Sequence, residues 1–398
     1  MTLTQRQRDH IDAHPDRSPY VVLDLDVVAH KYVELVESLP GVAVYYAVKA
    51  NPAPDVLSLL NRMGSSFDVA SIGEVRQCLD VGVQPQQMSF GNTVKKASAV
   101  REAVELGVTT FAFDSDSELD KLIELAPGSI AFCRVLCDGL GAAWPLSRKF
   151  GCTPGLAVGM LRRAARSGLR PGISFHVGSQ QFDPAAWDRA LALVADLRAE
   201  LRADGIELEL VNLGGGLPGS YVERVPPTAE YGRAITDAVR RRLGPALPPQ
   251  LLVEPGRYLV GDAGALACEV VTVGRKSASD EHRWVYLDVG AFSGLAETLG
   301  EAIRYPIEVY GGAPGRASGP VVLAGPTCDS ADILYETVDY ELPLDLRPGE
   351  RIVIRSVGAY TTSYSTVGFN GFPPLELEVL PATVDLSVVR LSPERASA

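Results

Sequence analysis

Short β-forming segments, each followed by an amphipathic helical stretch, recur along most of this chain, and that alternation limits the fold more than any other feature. The strands read VAVYYAVKAN (42–51), SSFDVAS (65–71), QMSFGN (87–92), TTFAFDS (109–115), SIAFCRVLC (129–137), GISFHVGSQ (172–180), ELELVNLGGG (207–216) and PQLLVEPGR (249–257). Between them lie stretches such as PDVLSLLNRMG, GEVRQCLDVGV, KASAVREAVELGV and AAWDRALALVADLRAELRADG, whose apolar residues recur at helical spacing. Eight strands with intervening helices predict an α/β fold, a (β/α)8 TIM-type barrel. Alternation alone also suits an open, doubly wound sheet, and the count of eight favours closure. The polar residues Lys49, Asp68, Arg134, His176, Gly214–Gly216, Glu254 and Arg257 stand at the C-terminal ends of these strands. Barrels build their active sites on that face.

Beyond about residue 262 the pattern changes. ALACEVVTVGR, HRWVYLDVG, YPIEVYGG, GPVVLAGP, ERIVIRSVGAY and LELEVLP are short alternating strands broken by Gly and Pro. They predict a second, all-β domain, Greek-key or sandwich-like, which VVLDLD (21–26) is free to join. The expected division is a barrel over 27–262 and a β domain from 1–26 plus 263–398.

Charge narrows the function. Lys+Arg total 37 against Asp+Glu 49, a net charge of −12, which argues against nucleic acid and anionic membranes as partners. The balance is compatible with a cationic substrate, although a well-solvated surface accounts for most of it. The six cysteines are scattered without a Cys-x-x-Cys, as expected of reduced thiols in a cytoplasmic protein. The N-terminal segment has no apolar core of signal-peptide length, and no run approaches the ~20 apolar residues of a membrane span.

Lys49 leaves a strongly β-forming strand, where a buried amine asks for a reason. One reason is a Schiff base, since desolvation lowers the amine pKa and makes it nucleophilic; the plainer one is a lysine reaching the rim. The glycines of NLGGGLP suit an anion such as phosphate, or simply a tight turn. In VEPGRYL, Arg257 is able to fork onto phosphate and Glu254 to keep a ring nitrogen protonated, or the two form an ion pair. His176 is read as the one histidine in a buried strand, either a core residue or a functional one. GPTCDSAD sets Cys328 beside Asp329 and Asp332, a thiol able to donate a proton and carboxylates able to bind an ammonium group. Beside His176 no second histidine or cysteine pair lies at ligand spacing, so no metal is expected.

YAVKAN, FDVAS-x-GE, HVGSQ, GGGLP, EPGR, GPTCDS and GAYT…FNGF, in this order, resemble the fold type III decarboxylases that depend on pyridoxal 5'-phosphate (PLP). WPLSRKFG (144–151) and GLAETLGEAIRYP (294–306) bring the bacterial ornithine and lysine decarboxylases of that group closest. The resemblance implies that Lys49 carries PLP as a Schiff base, His176 stacks on its ring and Glu254 pairs with the pyridine nitrogen. Ser179, Gly214, Gly215, Gly216, Gly256, Arg257 and Tyr360 would hold the phosphate, with Asp68, Glu74 and Arg134 around the imine region and pocket floor. Cys328 would return a proton after CO₂ leaves, and Asp329 would receive the substrate's distal ammonium, with Glu301, Glu74 and Phe369 also on the substrate side. An obligate homodimer with shared active sites follows, acting on L-ornithine or L-lysine in polyamine biosynthesis.

Three alternatives stand beside this. Diaminopimelate decarboxylases carry Cys-Glu-Ser where this chain has Cys328-Asp329-Ser330. Alanine-racemase-like isomerases are expected to set an arginine, not an acid such as Glu254, against the ring nitrogen. A non-catalytic homologue would have lost Lys49, Cys328 or Asp329, all of which are present.

Overall fold

The alternation resolves, in a computed structural model describing residues 2–145, 149–313 and 315–386, into a closed parallel barrel and a separate β sheet. Leu146, Ser147 and Arg148 of the WPLSRKFG motif, and the ends of the expected β domain at 1 and 387–398, lie outside the described residues. The chain opens with helix α1 (Gln5–Ala13), strand β1 (Tyr20–Asp24) and helix α2 (Leu25–Ser38). The barrel follows: β2 (Ala43–Ala47), α3 (Pro54–Arg62), β3 (Ser66–Val69), α4 (Ile72–Asp80), β4 (Met88–Phe90), α5 (Ala97–Glu105), β5 (Thr110–Phe113), α6 (Asp116–Leu125) and β6 (Ile130–Arg134). After a short strand β7 (Ala142–Trp144) come α7 (Pro154–Arg166), β8 (Arg170–Ser174), β9 (Ser179–Gln181), α8 (Ala186–Ala203), β10 (Leu210–Asn212), α9 (Thr228–Leu243) and β11 (Gln250–Val253).

Eight strands close in the order β10-β11-β2-β3-β4-β5-β6-β8, while β7 and β9 pair antiparallel as a separate two-stranded sheet. Each expected barrel strand is present but shorter than the sequence reading. Lys49, His176, the Gly214–Gly216 turn and Glu254 therefore fall just beyond their strands, while Asp68 and Arg134 stay within the last residues of β3 and β6. Ala112, Ile130, Phe132, Leu210 and Leu252 meet inside the barrel. Outside, α8 buries Trp187, Leu191, Val194 and Leu201, the stripe its spacing predicts.

The second unit comprises the chain through Val28, Gly219–Arg224 and Val260–Thr383. Its strands are β1, β12 (Gly264–Gly274), β13 (Arg283–Leu287), β14 (Ile307–Val309), β15 (Ser318–Ala324), β16 (Ile333–Pro343), β17 (Arg351–Arg355) and β18 (Glu376–Leu380). They form one eight-stranded, mostly antiparallel sheet, which β1 enters between β12 and β18 as the sequence allowed. Both faces are covered. Val21, Leu266, Cys268, Ile352 and Ile354 point into one core, whereas Tyr20, Val22, Ala265, Ala267 and Val353 point into another with Leu3 and Ile11. α1, which the sequence reading lacks, supplies Ile11 to that second core. Among the described residues, no helix is long and apolar enough to cross a membrane.

One buried ion pair braces the mouth of the barrel. The Lys95 side chain, fully enclosed after β4, donates to the carbonyls of Asn92 (2.8 Å) and Ala112 (2.6 Å) and lies 2.8 Å from Glu118 of α6. Burial pushes its amine down to about 8 despite the Glu118 charge. Without Lys95 the buried Glu118 carboxylate would keep, among the described residues, only its contact with Lys121, Nζ to Oε2 at 2.5 Å. Lys95→Ala is therefore expected to cost about 2–3 kcal/mol of stability in urea unfolding, less than the loss of a sole partner, and an unchanged midpoint would contradict this role.

Candidate active site

The strand exits gather residues far apart in sequence. β2 ends at Ala47, and a single 3-10 turn (Val48–Ala50) lifts Lys49 onto the mouth. Its side chain is 47% exposed, so the expectation of a buried amine is corrected: the turn carries it out of the strand before the barrel interior encloses it. What holds it is a charge, Asp68 at the exit of neighbouring β3, with Nζ to Oδ2 at 2.7 Å. Asp68 is buried and its Oδ1 has no hydrogen-bond partner among the described residues. Gly91 leaves room for it, since a Cβ there would lie 2.0 Å from Oδ1. Glu74, in the first turn of α4, accepts the Ala70 amide at 2.6 Å. Burial still pushes its carboxyl up against that bond and the Lys49 charge.

His176 lies in the loop beyond β8 rather than within the strand, because the ladder ends at Ser174. The Gly178 amide donates to its Nδ1 at 3.0 Å, placing the proton of the neutral ring on Nε2. Although part of its area is open, surrounding protein drives its pKa well down, and the nearby cations Arg134 and Lys49 add to that. The ring is neutral at physiological pH. Arg134, at the end of β6, sits over the Phe150 ring at 5.2 Å.

The glycine turn is dictated by crowding. A Cβ on Gly214 (φ +68°) would lie 2.0 Å from the Phe175 carbonyl, and one on Gly215 2.7 Å from the Glu254 carbonyl and 3.1 Å from His176 Nε2. Gly214 donates its amide to Asn212 Oδ1, while the amides of Gly215 and Gly216 have no partner among the described residues. Near this turn, Arg257 is buried and its guanidinium lies 3.4 Å from Ser179 Oγ, and Gly256 precedes it in the turn after β11. Two amides, a hydroxyl and a guanidinium form a donor set suited to an anion. Glu254 accepts from Asn212 Nδ2. Burial first, then the Asp68 charge, pushes its carboxyl up to about 7. A lysine amine, an anion cradle, a neutral imidazole and an acid that a cation would ionise fit a phosphorylated pyridine aldehyde in chemistry. The partnerless Asp68 oxygen also fits a site built to face a ligand.

In the β unit, Cys328 and Asp329 are exposed on the loop between β15 and β16. Asp332 is buried beneath them, accepting from the amides of Ala291 (2.8 Å) and Thr327 (3.1 Å) and the Thr327 hydroxyl (2.7 Å). Of the two carboxylates read as ammonium binders, only Asp329 is open; Asp332 is committed to shaping the loop. The Cys328 amide donates to Asn370 Oδ1 at 2.9 Å, bringing the Cys328 loop to the Phe369–Gly371 turn, where Phe369 packs edge-on to Phe292. Glu301 is pinned to β16 by the amides of Glu336 and Thr337, each at 2.7 Å, and by the Thr337 hydroxyl. Burial raises its pKa, but these bonds prevail and the net shift is downward. Tyr360 adopts φ +55° in the same unit. Sequence reasoning passed over Asn212 and Asn370; the only signal was their place two residues before the glycine run and within FNGF.

Comparison with known proteins agrees with this chemistry. Residues 25–261 match the family model described as the pyridoxal-binding domain of pyridoxal-dependent decarboxylases. The chain is 34% identical over 360 residues to the lysine/ornithine decarboxylase of Selenomonas ruminantium, covering 89% of this chain and 88% of that protein. The solved lysine/ornithine decarboxylase of Vibrio vulnificus with putrescine superposes with a TM-score of 0.84 at 30% identity, over 95% of this chain and 99% of that one. SrLDC, solved with PLP and cadaverine, gives 0.83 at 31% identity, over 95% and 94%.

A raised carboxyl pKa has a thermodynamic signature. With Glu254 at about 7 in the fold and near 4.5 in the unfolded chain, the native state holds the extra proton between those values. This group's contribution to stability is therefore present below pH 4.5 and lost as pH rises to about 7. Glu254→Gln should flatten that slope in PLP-free protein, read as urea midpoints across this pH range; an unaltered slope would contradict the shift.

Proposed function

Because the chain belongs to the family of pyridoxal-dependent decarboxylases, we propose that it removes the α-carboxylate of L-ornithine and L-lysine, yielding putrescine and cadaverine for polyamine biosynthesis. The observation that carries this reading is the meeting of Lys49, Asp68, His176, the Gly214–Gly216 turn and Glu254 at one barrel mouth. When bound, PLP supplies an electron-withdrawing ring that takes up the electron pair left by departing CO₂.

Lys49 would anchor the cofactor, released from Asp68 as its amine reacts. Gly215 and Gly216 amides, Ser179 and Arg257 would hold the phosphate, with Gly214 and Gly256 shaping the cradle and Tyr360 completing it. His176 would lie against the ring; as a neutral imidazole it adds no charge there. Glu254 would keep a proton on the ring nitrogen, which is how an acid rather than an arginine favours loss of CO₂ over racemisation. Asp68, Glu74 and Arg134 would support the lysine end of the pocket. The thiol of Cys328 would deliver a proton to the α-carbon, and Asp329 would hold the distal ammonium, trading binding energy for orientation. Phe369 and Glu301 would bound the substrate's far end, Glu301 from its anchored position on β16.

The barrel, taken as 27–262, is assigned the cofactor, and residues 1–26 with 263–398 the substrate-end groups. We read the active unit as a homodimer in which Cys328 and Asp329 serve the partner's barrel. A cytoplasmic setting fits six unbridged cysteines.

Carbon dioxide release from L- and D-ornithine, L- and D-lysine, L-arginine and diaminopimelate tests the reading. Release from L-ornithine and L-lysine is expected; none from either, or release from diaminopimelate alone, would overturn it. Asp329→Ala is expected to lower kcat/KM for both diamino acids by the equivalent of about 2–5 kcal/mol, the cost of leaving an ammonium group unpaired. Unchanged kinetics would place the distal amine elsewhere.

A further inference from the structure

Asn212 is the last residue of β10, fully buried and paired in register with Ser174 of β8 and Leu252 of β11. Both ends of its side chain are in use. Oδ1 accepts the Gly214 amide at 2.8 Å, and Nδ2 donates to Glu254 Oε1 at 2.5 Å. The Glu254 amide in turn donates to the Gly214 carbonyl at 2.9 Å. A closed circuit results: one amide group joins the first residue of the glycine turn to the acid at the end of the next strand. The orientation follows from the donors, because only an oxygen is able to accept from Gly214.

We propose that Asn212 is a positioning residue for Glu254, tying its carboxylate to the glycine turn so that the acid and the anion cradle present themselves to the cofactor as one rigid unit. The residue type is demanded by both bonds. An aliphatic side chain would leave a buried amide and a carboxylate oxygen without partners. An aspartate would keep the bond to Gly214 but set a second negative charge against Glu254, which already feels Asp68. The Asn212 donor opposes burial by favouring the ionised acid, the form that holds a proton on a ring nitrogen. The inference rests on the PLP reading above.

Its test is PLP affinity of the PLP-free protein as a function of pH, followed by absorbance, which does not depend on turnover. Wild type should bind PLP with an acidic limb set by Glu254. Asn212→Ala should weaken binding about 10-fold or more, as expected for a lost hydrogen bond to a charged group, and move that limb to higher pH. Asn212→Asp should move it further. Adding Asn212→Ala to Glu254→Gln should leave the pH dependence of Glu254→Gln unaltered. An acidic limb identical to wild type in both Asn212 variants would overturn the proposal. So would loss of the folded barrel in both, by circular dichroism, since that assigns the residue to folding alone. Failure of the wild type to bind PLP at any pH would instead strike the cofactor reading itself.

Discussion

An ammonium and a carboxylate held 2.7 Å apart at the exits of two neighbouring strands are the contact around which the rest of the site is arranged. Lys49 is half exposed, and its contact with Asp68 holds the amine at the rim. The pair exists because β2 and β3 are adjacent and parallel, which ends both strands on the same face of the barrel. Closure of the remaining strands then brings the His176 loop, the glycine turn and Glu254 onto that rim.

Electrostatics at the rim are graded rather than uniform. Burial, then the Arg134 and Lys49 charges, lower the pKa of His176, while burial, then the Asp68 charge, raises that of Glu254. A cationic ring nitrogen beside Glu254 would favour the ionised acid, and a phosphate would meet the Gly215 and Gly216 amides and the buried Arg257 guanidinium. Binding would give the Gly215 and Gly216 amides the partner that the described residues do not supply.

Much of this was legible in the sequence because barrel strands are buried, short and punctuated by glycine. The eight strands and the polar residues at their exits followed from that pattern alone, while the ordered motifs carry only the roles proposed for those residues. What escaped has physical causes. α1 buries only Gln7 and Ile11, too few contacts to stamp a helical period on QRQRDHIDA. β16 (ILYETVDYELP) mixes acids into its alternation and follows directly on a Gly/Pro loop, so it reads as loop. Lys49 was expected to be buried because local hydrophobicity does not reveal a 3-10 turn at a strand exit. The tasks of Asp332 and Asn212, each spent on backbone amides, depend on neighbours that only the fold supplies.

The most direct measurement is the point of cofactor attachment. Protein incubated with PLP, reduced with borohydride and digested should yield, by mass spectrometry, a single modified peptide with the pyridoxyl group on Lys49. A label on another lysine, or none, would contradict the assignment of this barrel mouth as the PLP site.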